Sequence, residues 1–396
     1  MAAAIPPLGW WDPWPSRCLT LRQLNRATLA RQGLLEPLPH ASVTKLVERL
    51  GSLQAQHPDW PPLALQSRLP ADAAFVDLSR ARARRSVVRA SLMRMTVHVV
   101  SAADFWTMST LTLPFRWEQW RVMYKRDPVT SPLGRRIRQA YGAVLAAMRE
   151  RPLAISEIES VLAADVGRME IPPNRCLWRH FSGGVALVHV PYPEEAYGRT
   201  RYAPAADWLG DPDPEAGNPD VAADRLARRY LAAFGPATVE DLAAYVGRGK
   251  WLSRWRKAVG GAAERLLRFT DESGRTLLDL PDAPRPNGDT PAPPRLLARW
   301  DSLLLAYGTA HRARVLPAAH QSTVITRNAD VLPTFLVDGM VAGTWLPRHD
   351  RHGTPRLELR PFRRLSAATR DALEAEGERL LPILGRGAFS RYPGTD

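Results

Sequence analysis

The segment 86–102, SVVRASLMRMTVHVVSA, is rich in β-branched residues and comes directly after three helix-forming patterns. Its composition predicts a pair of strands, with a break that we place around Arg89 to Met93. Three helices followed by a β-hairpin form the outline of a winged helix, which is a small α+β module. This order of elements restricts the N-terminal part of the chain to a mixed α+β fold.

The three helices that precede this segment each have a recognisable start. Thr20 and Gln23 have the spacing of a capping box in TLRQLNRATLARQGL. A second helix is predicted from Ser42, and Pro61 and Pro62 favour the start of a third. These elements and the hairpin make up the first predicted unit.

The same order of elements recurs twice without obvious sequence repetition. ISEIESVLAADV, with a capping box predicted at Ser156 and Glu159, is followed by the short basic helix NRCLWRHF and by the strand GGVALVHVPY. DRLARRYLAAFGPATVEDLAAYVG predicts a helix, a turn and a helix capped by Thr238. The basic KWLSRWRKAV and the hairpin-like ERLLRFTDESGRTLLDL complete a third unit.

Segments rich in Pro, Gly and Asp, GDPDPEAGNPD and PDAPRPNGDTPAPP, divide the chain. Beyond them, Asp338-Gly339 between apolar runs predicts a hairpin, RLELRPF a further strand and SAATRDALEAEGERLLPIL a final helix. The predicted division is an N-terminal arm (1–19), three winged-helix units (20–130, 131–215 and 216–284) and a β-rich C-terminal domain (285–396).

The N-terminal arm and the cysteines bear on the compartment. Trp10, Trp11 and Trp14 favour a docked arm over a flexible extension, because three tryptophans are rarely left in water together. The arm lacks the basic start and apolar run of a signal peptide, and no later stretch approaches a membrane span. Cys18 and Cys176 are too few for a disulfide framework, so we expect a cytoplasmic protein.

The charge of the chain limits its partners. Lysine and arginine number 54 against 40 acidic residues, which gives a formal charge of +14. Such an excess favours a polyanion, nucleic acid before an anionic membrane, although a coding bias toward arginine would produce the same composition. The sequence contains no Gly-rich phosphate loop, paired-cysteine motif or nucleophile elbow, and we expect neither a metal nor an organic cofactor.

Two neutral amides stand out in GSLQAQHPDW, residues 51–60. Pro58 indicates that any helix has ended by His57, and in an extended segment Gln54 and Gln56 project to the same side. Glutamine neither gives up nor takes a proton near neutral pH, so these side chains would position or polarise another group. The alternative is that they cap carbonyls at the end of a helix.

Several runs resemble one family: LNRATLARQGLLEP, VERLGSLQAQHPDWPPLALQSRL, LMRMTVHVVSAADFW, RWDSLLLAYGTAHRARVLP and FLVDGMVAGTWLPR. Together they are similar to the bacterial winged-helix DNA glycosylases of the AlkZ and YcaQ type, from about residue 20 to 365. The resemblance implies three tandem winged helices and a β-rich C-terminal domain in a C-shaped molecule that cups DNA. It also implies that Gln54-Ala55-Gln56 is the functional signature, in the form found in the branch that acts on bulky toxin adducts.

The resemblance implies a monofunctional glycosylase that releases N7-alkylated purines from double-stranded DNA, as self-protection against a genotoxic natural product. We expect a monomer that reaches the lesion from the minor groove. Gln54 and Gln56 would orient the attacking water and stabilise the sugar cation. The candidate DNA contacts are His98, Arg94, Arg312, Arg314, Arg327 and Arg348. The alternatives are a half-buried strand histidine for His98 and a solvated surface charge for each arginine. The rival interpretations are a non-enzymatic winged-helix regulator and a protein that sequesters the toxin.

Overall fold

The structure is a computed structural model, and it describes residues 18–38, 42–70, 73, 77–191, 200–247, 252–261, 265–328, 330–349, 351–352 and 355–384. The predicted tryptophan arm, with Trp10, Trp11 and Trp14, lies outside these residues. Among the described residues, no helix combines the length and the apolar character needed to cross a membrane.

The architecture is mixed α+β, as the sequence predicts. The helices are α1 (Leu21–Arg31), α2 (Val43–Arg49), α3 (Trp60–Gln66), α4 (Leu78–Ala83), α5 (Ala102–Tyr124), α6 (Pro132–Gln139), α7 (Tyr141–Glu150), α8 (Ile155–Val166), α9 (Cys176–Gly184), α10 (Ala205–Leu209), α11 (Pro219–Phe234), α12 (Val239–Val246), α13 (Leu252–Gly261), α14 (Ser302–Leu305), α15 (Gln321–Val324) and α16 (Ala367–Leu384). The strands are β1 (Cys18–Leu19), β2 (Leu53–Gln54), β3 (Val87–Ser91), β4 (Val97–Ser101), β5 (Leu187–Val190), β6 (Arg201–Pro204), β7 (Leu267–Asp271), β8 (Thr276–Asp279), β9 (Arg295–Leu297), β10 (Thr334–Val337), β11 (Met340–His349) and β12 (Pro355–Pro361).

The first predicted unit contains the expected helices and hairpin. Thr20 caps α1 in a capping box with Gln23, and Ser42 caps α2. Strands β3 and β4 pair antiparallel, but β3 continues to Ser91, so the break lies at residues 92–96 and not around Arg89 to Met93. In the turn, Arg94 and Met95 both have positive φ, 51° and 58°. The pairing of β3 with β4 ends before this turn, at Ser91 and Val97.

The hairpin of the first unit belongs to a larger sheet. Five strands lie in the order β2-β4-β3-β5-β6, so the strands of the first and second predicted units are joined edge to edge. The seam between β3 and β5 consists of one residue pair, Arg89 with His189. The two predicted units therefore share a sheet.

In the second unit the predicted helix forms, but it begins two residues earlier than predicted and has only the acidic half of a capping box. The N-cap of α8 is Ala154, whose N–H donates to Glu157 Oε2 at 2.7 Å. The prediction of Ser156 and Glu159 is wrong because the backbone of Leu153 pairs with Tyr202, and the helix begins as soon as this bridge ends. The 23-residue helix α5, capped by Ser101, was not predicted.

The third unit follows its predicted order, with α11, the Thr238-capped α12, α13 and the antiparallel hairpin β7–β8. Strand β1 adds to β7 in parallel, pairing Cys18 with Thr270 and Leu19 with Asp271. The last residues of the predicted arm, 18–19, therefore dock on the third unit.

The C-terminal region contains an antiparallel sheet in the order β12-β11-β10-β9. The hairpin predicted at Asp338-Gly339 is confirmed, and both residues have positive φ, 47° and 77°, as a two-residue hairpin turn requires. Its core is continuous with that of the first unit, where the rings of Trp60 and Trp345 lie 5.8 Å apart. The segment that carries the two glutamines is thus supported by both ends of the chain.

Candidate active site

The glutamine pair lies on an extended segment. Helix α2 ends at Arg49, and β2 pairs with β4 so that Gln54 lies opposite His98. The Ala55 N–H donates to Val97 O at 2.7 Å, which continues the pairing to the next residue. The segment is therefore held against the hairpin as an added strand, and the expected non-helical geometry is confirmed.

Each glutamine carboxamide is anchored through its oxygen. Gln54 Oε1 accepts a hydrogen bond from Arg94 Nη2 at 3.1 Å, and the side chain is 7% exposed. Gln56 Oε1 accepts from the Val97 N–H at 2.8 Å, and its side chain is partly exposed. These two bonds tie the amides to the hairpin and not to the end of a helix.

A buried arginine holds the backbone of the same segment. Arg89 Nε donates to Ala55 O at 3.1 Å, and its Nη2 donates to Gln56 O at 3.4 Å. Its side chain is buried. Arg89 thus supports the tripeptide from the neighbouring strand, a role that the sequence did not indicate.

His98 is a buried neutral acceptor. Its Nδ1 lies 3.0 Å from Thr96 O and its Nε2 lies 3.2 Å from Arg94 Nη2. A carbonyl can only accept and a guanidinium can only donate, so the proton is on Nδ1 and the lone pair of Nε2 faces Arg94. Burial, and then the charge of Arg94, lower the pKa of His98 to about 3.

The DNA contact predicted for His98 is wrong in this structure, because the side chain is completely buried. What it contacts is Arg94, which in turn contacts Gln54. His98 is therefore linked to Gln54 only through Arg94.

Arg94 joins the first unit to the third. Its Nη1 donates to the carbonyl oxygen of Tyr245, and its guanidinium lies 5.5 Å from the centre of the Tyr245 ring. Tyr245 Oη is 2.7 Å from Ser52 Oγ, and Ser302 Oγ donates to Ser52 O. Arg94, Tyr245 and Ser302, from three distant parts of the chain, thus meet beside the segment that carries Gln54.

The conformation of Arg94 is fixed by close packing as well as by these bonds. Its φ is 51°, in the left-handed region. Gly247, with φ of 90°, lies against it so closely that a Cβ there would be 2.9 Å from Arg94 Cα. Burial lowers the pKa of Arg94 to about 10, so the guanidinium is charged at neutral pH.

The other arginines predicted to contact DNA have different surroundings. Arg312 is half-buried and donates to Leu304 O and Tyr307 O, and burial lowers its pKa. Arg327 is exposed. Arg348 is partly exposed and pairs with Glu358 at 2.7 Å.

Arg314 is completely buried, which contradicts its predicted DNA contact. It donates to Pro236 O at 2.8 Å, and its guanidinium lies 4.1 Å from the centre of the Tyr307 ring. A group without exposed surface cannot reach a phosphate. Arg314 therefore serves the interior of the protein.

The arrangement can bind and orient, but neither glutamine nor His98 can serve as an acid or base near neutral pH. The two amides do not titrate, and the low pKa of His98 keeps its ring neutral. Within the described residues, no cluster of three His, Cys, Asp or Glu side chains could hold a metal ion.

Comparisons with known proteins agree with one another. A family model described as DNA glycosylase AlkZ-like matches residues 47–383. An interstrand DNA cross-link repair glycosylase of Streptomyces sahachiroi is 26% identical over 341 residues, covering 82% of this chain and 87% of the relative. The solved structure of the Streptomyces sahachiroi DNA glycosylase AlkZ matches with a TM-score of 0.73 at 21% identity, covering 93% of this chain and 97% of that one.

Proposed function

The chain belongs to the AlkZ-like DNA glycosylase family and is a hydrolase of N-glycosyl bonds, and from this premise we propose that it excises bulky N7-alkylated purines from duplex DNA. The observation that carries the proposal is the anchored pair Gln54 and Gln56. Both are neutral amides on an extended segment that pairs with the hairpin, beside a buried histidine that cannot serve as an acid.

The chemistry of an N7-alkylated purine fits these residues. Alkylation at N7 places a positive charge on the base, which then departs as a neutral leaving group without a general acid. What remains is an oxocarbenium-like sugar and a water that must attack it. Each carboxamide oxygen has a second lone pair that can hold this water, and each NH₂ group can grip an oxygen of the sugar or phosphate.

The surrounding protein would supply the DNA contacts. We propose three tandem winged helices and a β-rich C-terminal domain, divided as the sequence indicates, in a C-shaped monomer that approaches the minor groove. Arg312, Arg327 and Arg348 remain candidates for phosphate contacts because they have exposed surface. His98 and Arg314 are not proposed for this role, nor is Arg94, whose guanidinium is bonded to Gln54, His98 and Tyr245.

The biological setting is part of the proposal. The Streptomyces sahachiroi relative is named for the repair of interstrand cross-links. Bulky alkylating toxins that join purines through N7 produce such lesions. We therefore propose self-protection against a genotoxic natural product, in the cytoplasm, with monoadducts as the simplest substrate.

Single-turnover excision on a duplex with one N7-alkylguanine tests the proposal. Replacing Gln54 or Gln56 by alanine should slow base release by about 10² or more, the effect of losing one preorganised hydrogen-bonding group, while DNA affinity changes little. Gln32→Ala is a matched control, since Gln32 is buried and its amide donates to Ala233 O in α11 at 3.0 Å and not to the tripeptide. Wild-type excision per folded molecule in both glutamine variants would overturn the assignment.

A further inference from the structure

The partners of Gln54 determine which end of its carboxamide faces the protein. Arg94 Nη2 lies 3.1 Å from the amide group, and a guanidinium has donors but no acceptor. The atom that faces Arg94 must therefore be Oε1, and the NH₂ group must point away from it. Among the described residues, no acceptor is found for this NH₂ group.

Arg94 is itself held so that it cannot turn away. Nη2 also donates to His98 Nε2 at 3.2 Å, and Nη1 donates to Tyr245 O. The left-handed backbone of Arg94 packs against Gly247. The donor to Gln54 is thus fixed by strand β4 on one side and by the third unit on the other.

We propose that Arg94 is a positioning residue that fixes Gln54 with its oxygen inward and its NH₂ outward, so that Gln54 serves as a hydrogen-bond donor to an oxygen of the lesion nucleotide. This inference rests on the proposed function and assigns different roles to the two glutamines. Gln54 grips a sugar or phosphate oxygen. The attacking water falls to Gln56, which is more exposed and whose oxygen keeps a second lone pair.

Electrostatics support this division. The NH₂ end of a carboxamide is the positive end of its dipole, and behind Gln54 stands the charged guanidinium of Arg94. Both would repel a developing sugar cation and attract an oxygen with partial or full negative charge. The first glutamine is therefore suited to anchoring the nucleotide and not to stabilising the cation.

Gln54→Glu separates the donor role from the acceptor role. Glutamate has nearly the same shape and accepts from Arg94 at least as well, but its carboxylate has no hydrogen to donate. We expect excision by Gln54→Glu to fall as far as by Gln54→Ala, about 10² or more. If Gln54 acts through its oxygen, the glutamate variant should instead match or exceed the wild type, and this result would overturn the inference.

A double-mutant cycle tests whether Arg94 acts through Gln54. Arg94→Met should slow excision about tenfold or more by loosening the amide, and should have no further effect in the Gln54→Ala background. Effects that multiply in the double variant would overturn the positioning role. Arg94→Lys, which keeps the charge but not the fork of donors, should recover only part of the rate.

Arg85→Met is a matched control. Arg85 also has a left-handed backbone, donates to a carbonyl of the second unit, Trp208 O, at 3.1 Å, and lies 4.2 Å from the centre of the Trp208 ring. Because Arg85 does not contact Gln54, the Arg85→Met variant should excise at the wild-type rate. Failure of Gln54→Ala to slow excision would count against the proposed function, whereas an active Gln54→Glu beside an impaired Gln54→Ala would count against this inference alone.

Discussion

Gly247→Ala should impair excision from a position that lies in the third unit and outside the glutamine segment. Gly247 has φ of 90°, and an added Cβ would lie 2.8 Å from Arg94 Cγ and 2.9 Å from Arg94 Cα. These separations are too short for carbon atoms, so Arg94 must shift. Because Nη2 of Arg94 holds Gln54 Oε1, the shift should reach the amide.

The expected loss of stability has two parts. An alanine in the left-handed region costs about 1–2 kcal/mol. Forcing a carbon into a filled space costs about 1–3 kcal/mol more. The free energy of unfolding should therefore fall by about 2–5 kcal/mol, and excision per folded molecule should slow about tenfold or more as the amide is displaced.

Gly274→Ala isolates the backbone part of this effect. Gly274 has φ of 76°, but no atom lies within 4 Å of the position of its Cβ. The free energy of unfolding of Gly274→Ala should therefore fall by only about 1–2 kcal/mol, and its excision rate should equal that of the wild type. Urea denaturation and single-turnover excision on the two variants give the comparison, and equal excision rates in both would refute the proposed coupling between Gly247 and the site.

The charge states and the surface give four further predictions. The excision rate should be level between about pH 5 and pH 9, because the pKa of His98, about 3, and that of Arg94, about 10, lie outside this range; a titration near pH 6.5 in single-turnover rates would contradict it. The free energy of unfolding, measured with urea, should fall as the pH drops below 6.5, because buried His98 and His180, whose pKa is about 4, stay neutral in the folded protein while the unfolded chain binds protons. Arg327→Ala should reduce the slope of log affinity against log salt by about 0.9 if this exposed group contacts a phosphate, and an unchanged slope in DNA titrations would exclude that contact. Excision should survive EDTA, since amides act without a metal, and restoration of a lost activity by added zinc or magnesium would overturn the mechanism.

Local elements were predictable where the signal lies in adjacent residues. The capping box of Thr20 and Gln23 and the turn at Asp338-Gly339 both depend on neighbours within three residues. The box at Ser156 failed because its helix start is fixed from a distance, by the bridge between Leu153 and Tyr202. Where two nearby positions could each begin a helix, long-range strand pairing can decide between them.

The candidate site also combines features that adjacent residues predict with features that depend on tertiary contacts. The family resemblance, and not the spacing alone, singled out Gln54 and Gln56, and Pro58 predicted their extended backbone. Their partners depend on tertiary contacts: Arg94 is 40 residues away from Gln54, and Tyr245 belongs to another unit. The burial of His98 was predicted only in part, as a half-buried strand histidine, since an isolated histidine in a strand pattern can face either side of the sheet.

The seam between β3 and β5 has a consequence for how the chain assembles. One edge of the hairpin is covered only after a strand about a hundred residues later has been made, and such non-local pairings form slowly. Until then the β3 edge offers unpaired N–H and C=O groups to any neighbouring chain. A fragment that stops after the first unit would keep that edge exposed, so the glutamine segment is best produced together with β5 and β6.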